Sequence, residues 1–115
     1  MSRRSRSSTS AKVQFHAPRF AALGDDTRLL LVTKLSDGRP RSISRLTEGS
    51  KLTRQAVTKH LRVLENVGMV HRARRGRESL FELDPKPIED LKHYLDLVSA
   101  QWDEALSRLK SFVEG

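Results

Sequence analysis

Apolar and polar positions recur at helical spacing along the first part of the chain, alternate over 69–83, and return to helical spacing to the end. A first short helix is expected over 18–23, breaking at Gly24. Asp25 or Asp26 caps a second helix through about residue 35, closed by the turn residues Asp37-Gly38-Arg39-Pro40. Its expected inward positions are Leu29, Leu30, Val32 and Leu35. Ser42 or Ser44 caps a third, carrying Ile43 and Leu46 and running out near Gly49. A turn through Ser50-Lys51-Leu52 then reaches Thr53, the cap of a helix over about 53–67 that stops at Gly68. Two strands, 69–73 and 79–83, flank the charged tip 74–78, giving a hairpin over about 69–83.

From Pro85 a helix is expected over about 85–114. Ile88, Leu91, Leu95, Val98, Trp102, Ala105, Leu109 and Phe112 follow one another at alternating spacings of three and four. That period, about 3.5, marks a seam against another helix. Tyr94, Leu106 and Val113 widen the stripe. At about 1.5 Å per residue a helix of some 28 residues is roughly 42 Å long, so much of its apolar face must meet something other than its own small domain.

The stretch TRQAVTKHLRVLENVGMV, 53–70, separates its side chains by face. On a wheel with Val57 at zero, Leu61 and Leu64 lie within about 40° of it. Arg54, Gln55, Thr58, Lys59 and Arg62 lie between about 60° and 200°, and His60 falls on the inward side at about −60°. The outer face holds no acid before Glu65, so it lacks the mixed signs of an ordinary solvated helix. Arg and Gln there suit bidentate contacts with base edges. The tip residues Arg74, Arg75 and Arg77, beside Gly76, suit phosphates or a minor groove.

Charge strengthens this picture. The 115-residue chain carries +8, with ten basic and four acidic side chains over 41–83 against four basic and seven acidic over 84–115. Residues 1–12 hold four basic side chains and no acid, as expected of a disordered basic arm preceding a domain over 13–115. A polyanionic partner, double-stranded DNA, fits this distribution. No cysteine is present, which removes disulfides, thiolate metal sites and cysteine nucleophiles and fits a reducing compartment. The longest apolar run, Leu29-Leu30-Leu31-Val32, is far short of a membrane span, and the opening residues lack the apolar core of a secretory signal. No nucleophile–base pair or phosphate-cradling glycine loop is present, so neither catalytic residues nor a cofactor are expected.

The run from Phe20 to Leu83 closely resembles the winged helix-turn-helix regulators of the ArsR family, here of a cysteine-free, metal-independent type. AALGDDTRLLLV, LTRQAVTKHLRVLENVGMV and RRGRESLFEL stand in the family's order and spacing, and the terminal helix extends the likeness to nearly the whole chain. The resemblance implies a mainly α fold with a small β-hairpin, a winged helix-turn-helix with a long C-terminal dimerisation helix. It implies Thr53, Arg54, Gln55, Ala56, Thr58 and Lys59 at the DNA, with Arg62 added by the wheel, and Arg74, Arg75 and Arg77 on the wing. It further implies a homodimer made by the first and last helices, bringing Phe20, Leu91, Leu95, Val98, Trp102, Ala105, Leu109 and Phe112 to the interface. The implied function is repression at a near-palindromic operator, in the cytoplasm of a bacterial or archaeal cell and on its nucleoid.

The family's metal sites are not matched. The segment SISRLTEGS has no cysteine, and Asp90, His93 and Asp96 do not reproduce the paired spacing of the terminal-helix sites, so no metal is expected and no effector is identified. The alternative from another class is a protein–protein module of antitoxin or anti-factor type, whose C-terminal helix binds a different protein.

Overall fold

The computed structural model describes residues 2–115, with side chains from Thr9 onward. The order is α1 (Ser2–Leu23), α2 (Asp26–Leu35), β1 (Arg41–Ser42), α3 (Ile43–Thr47), α4 (Arg54–Asn66), β2 (Val70–Arg75), β3 (Glu78–Leu83) and α5 (Pro85–Glu114). Two compact units result, Met1–Pro85 and Lys86–Gly115. Among the described residues, no helix is long and apolar enough to cross a membrane.

Each short helix is capped by a side chain that satisfies an otherwise unpaired amide. Asp25 accepts from the Arg28 amide at 3.0 Å, Ser42 from Arg45 at 3.2 Å and Thr53 from Ala56 at 3.0 Å. The Asp25 carboxyl consequently sits below its ordinary pKa, first because of that amide bond. The end of α4 is closed differently. Gly68, at φ +76°, lets its own amide reach the Glu65 carbonyl at 2.9 Å and the Met69 amide reach the Leu64 carbonyl at 3.0 Å. This is the Schellman arrangement, and the two side chains that accompany it, Leu64 and Met69, are both fully buried.

The first unit packs its helices around Leu31, Leu35, Leu46, Val57, Leu61, Leu64, Met69 and Phe81, all almost wholly buried. Leu29 and Leu30, expected inside, are instead 51% and 45% exposed, and Leu31 takes the inward place. The run Leu29–Val32 is apolar all round, so α2 alone admits several inward faces. Packing against α4 and β3 selects the one carrying Leu31 and Leu35, one turn apart.

The sheet is antiparallel in the order β1-β3-β2. β1 was not expected, because two residues carry no periodic pattern; it exists only through pairing of Arg41 with Phe81 and Ser42 with Leu80. The β2–β3 pairing extends to Arg75 opposite Glu78, leaving Gly76 and Arg77 as a two-residue loop. Gly76 has φ +63° and Arg77 does not have positive φ, the sign pattern of a II′ turn. Arg74 and Arg75 are therefore strand residues, not tip residues.

Helix α1 passes through Pro18, where the first helix was expected to begin. Proline's fixed φ is helical, so continuation costs one backbone hydrogen bond and some crowding with the preceding turn. Of the arm expected over 1–12, residues 1–8 fall outside the described side chains, and Thr9 to Lys12 are continuous with α1.

The second unit is the single helix α5. Pro87 and Leu91 are buried, whereas Leu95, Trp102, Leu109 and Phe112 are 51%, 64%, 59% and 84% exposed. The exposed part of the expected seam thus starts after Leu91.

Candidate nucleic-acid interface

Helices α3 and α4 build one surface. Ile43, at the start of α3, and Arg54, Gln55, Thr58, Lys59 and Arg62 of α4 line an open groove of about 580 Å³. All five outward residues of the helical wheel therefore share one concavity. Ile43 joins them although its sequence pattern marked it only as a helix residue. Its apolar side chain adds a contact suited to a thymine methyl.

Several arginines outside the groove are partnered within the protein. Arg19 donates to the Val67 carbonyl at 3.2 Å, Arg28 to the Ala22 carbonyl at 2.5 Å, and Arg41 and Arg45 reach Asp37 at 2.6 Å and Glu48 at 3.4 Å. Arg72 donates to Glu65 through Nε and Nη2, at 3.1 and 3.4 Å. By contrast, the side chains of Arg54, Lys59, Arg62, Arg74, Arg75 and Arg77 make no hydrogen bond or ion pair among the described residues. These six keep their donors open toward solvent, as Lys12, Lys51, Lys92 and Arg108 also do, but only these six are gathered on one helix and the wing beside it.

Thr58 differs from the simplest reading of the wheel, whereas His60 agrees with it. Thr58 donates its hydroxyl hydrogen to the Arg54 carbonyl at 2.7 Å, which removes it as a ready donor to phosphate. His60 is on the inner side, and its Nδ1 lies 3.3 Å from an Arg28 nitrogen and 3.7 Å from the Asp25 carboxylate. It links α4 to the cap of α2. Thr53 is the cap itself, and Ala56 is half-buried behind the groove.

Strand alternation orders the wing. Val70, Arg72 and Arg74 share one face of β2, and the burial of Val70 with the Arg72–Glu65 contact identifies that face as the one turned toward α4. Arg75 stands on the opposite face, with His71, whose Nε2 lies 2.7 Å from Glu82 across the strands. The sequence singled out three wing arginines as equivalent; the register separates them. Arg72 and Glu65, which sequence reading passed over, turn out to join wing and helix. The spacing of seven between them was visible, but no local rule pairs a helix residue with a strand residue across a turn.

Elsewhere, among the described residues, no group of three histidines, aspartates or glutamates could hold a metal ion. Asp90 of α5 lies 3.7 Å from Lys86.

Known proteins match this arrangement. Residues 25–72 fit the model of the bacterial regulatory proteins of the arsR family. The uncharacterized HTH-type transcriptional regulator YuzN of Bacillus subtilis is 36% identical over 78 residues, 63% of this chain and 85% of that protein. The HTH-type transcriptional regulator Rv2034 of Mycobacterium tuberculosis is 30% identical over 93 residues, 81% of this chain and 83% of that one. Among solved structures, an ArsR-like transcriptional regulator from Rhodococcus sp. RHA1 superposes with a TM-score of 0.70 at 32% identity, over 91% of this chain and 95% of its own. The homodimeric winged helix-turn-helix DNA-binding domain Mb0332 of Mycobacterium bovis shares the fold at a TM-score of 0.60 and 22% identity, over 85% of this chain and 87% of its own. With a capped helix-turn-helix, a basic wing and these relatives, the chain belongs to the ArsR family of DNA-binding transcriptional regulators.

Proposed function

We propose that the protein acts as a homodimeric repressor that reads a near-palindromic operator through successive major grooves. The observation that carries this reading is the set of six unpartnered cations on α4 and the wing, beside a groove that also holds Gln55 and Ile43. Arg54 and Gln55, in the first turn of α4, are the base readers, because the N-terminal end of such a helix enters the groove first. Lys59 and Arg62 neutralise flanking phosphates. Arg74, on the α4 side of the wing, contacts the same duplex more closely than Arg75.

The second copy docks along α5, whose apolar face is open from Leu95 to Val113; Phe20 of α1, Val98 and Ala105 join the contact. Covering Leu95, Trp102, Leu109 and Phe112 on both copies is worth at most roughly 12–24 kcal/mol gross, against an association cost of about 4–15 kcal/mol. The Mycobacterium bovis relative is itself homodimeric. Such a regulator works in the cytoplasm of a bacterial or archaeal cell, on the nucleoid.

Selection of bound duplexes from a random pool tests the reading. The expected product is two related half-sites about one helical turn apart or a multiple of it. Binding to it should weaken steeply with salt, since each neutralised phosphate releases counterions. Recovery of no common sequence, or of a single unrepeated half-site, would overturn the dimeric operator. On the selected duplex, Arg74→Ala should lose several-fold more affinity than Arg75→Ala in an anisotropy titration; equal losses would remove the assignment of faces.

A further inference from the structure

Glu65 is the only acid between Thr53 and Val67, and it sits on the helix proposed to approach DNA. Negative charge there opposes binding to a polyanion, so its presence calls for a compensating role. Its partner, Arg72, is held in two ways. Its Nε and Nη2 donate to the carboxylate, and its guanidinium carbon lies 5.3 Å from the ring centroid of Phe81, the residue paired with Arg72 across the strands. Phe81 is itself wholly buried, so the ring under Arg72 cannot move without the core. A long, flexible side chain, half-exposed to solvent, is thereby tied between α4 and β2.

We propose that the Glu65–Arg72 bridge is a positioning device that holds Arg72 off the DNA and fixes the wing against the reading helix. Arg74 follows Arg72 by two residues on the same strand face, so a fixed Arg72 also fixes where Arg74 is presented. Sequence discrimination then depends on helix and wing arriving together in one register. A wing free to shift would let its arginines find phosphates on any duplex. The bridge therefore lowers nonspecific affinity while raising the ratio of specific to nonspecific binding. This inference rests on the proposed DNA-reading function.

Glu65→Gln is the direct test, on the full-length protein, with the pool-selected duplex and a scrambled duplex as probes. Removing the carboxylate releases Arg72 to a phosphate. The salt slope of log K should steepen by about 0.9, one added phosphate contact. Affinity for the scrambled duplex should rise, and the selected-to-scrambled ratio should fall roughly three- to tenfold, with each tenfold corresponding to about 1.4 kcal/mol. Arg72→Lys, which keeps the charge but cannot bridge with two ends, should lower the ratio without raising scrambled binding as far. A merely structural bridge would shift the melting temperature and leave the ratio untouched. An unchanged ratio in Glu65→Gln overturns the proposal. Running Arg54→Ala/Gln55→Ala alongside separates the two levels: a ratio lost there but kept in Glu65→Gln removes the positioning role alone, whereas a ratio kept in both points to a misplaced reading face.

Discussion

Replacing Arg54 and Gln55 together with alanine is expected to erase sequence preference while the protein stays folded. Each well-placed bidentate contact to a base edge discriminates by about 1–3 kcal/mol. The pair together should therefore reduce the ratio of selected to scrambled binding by roughly 30-fold at the lower end and 10⁴-fold at the upper. Nonspecific binding should fall much less, because only one positive charge is removed. Both side chains are exposed and lack partners among the described residues, so stability should stay within about 0.5 kcal/mol. Anisotropy titrations on the two duplexes, with a melting curve beside them, make the measurement. A ratio that survives the double substitution would move the reading function off this face of α4.

The second large effect is expected at Trp102. It is 64% exposed in the single chain and stands in the middle of the open α5 seam. A buried tryptophan at an interface commonly contributes about 2 kcal/mol or more. A two-fold dimer loses two of them, so Trp102→Asp should weaken dimerisation by about 4 kcal/mol, roughly a thousandfold in the dissociation constant. Sedimentation at micromolar concentration should find a dimer for the parent protein and a monomer for the variant. DNA binding should fall with it, since one copy engages only one half-site. If the parent sediments as a monomer, the α5 face belongs to a different protein partner. If the variant remains dimeric, the seam lies elsewhere.

How much of this was legible in the chain depended on how local each cause is. The frame of α4 was legible because both ends are set within a few residues: Thr53 satisfies an amide three positions on, and Gly68 supplies the left-handed backbone that closes the helix. The split between donors and core residues on that helix follows from its 3.6-residue period, and the groove collects the same five donors that the wheel set apart. The long terminal helix was legible because its stripe repeats over many turns. α2 was less so. With four apolar residues in a row, its own period could not say which would face inward, and Leu29 and Leu30 exchanged places with Leu31 only when α4 and β3 were present to choose.

The sequence by itself determined that this is a basic winged helix-turn-helix protein with one donor-bearing helix, because caps, glycines, periodicity and charge all act over a few residues or in sum. The tertiary structure decided the rest. β1 exists only by pairing with a strand nearly forty residues away in the chain, a relation no local pattern encodes. Arg74 and Arg75 acquired opposite faces from the register of β2 on β3. Arg72 met Glu65 and Phe81 because a helix, a turn and a hairpin bring distant side chains within reach. Contacts across elements depend on packing and register, and those are settled only when the whole core closes.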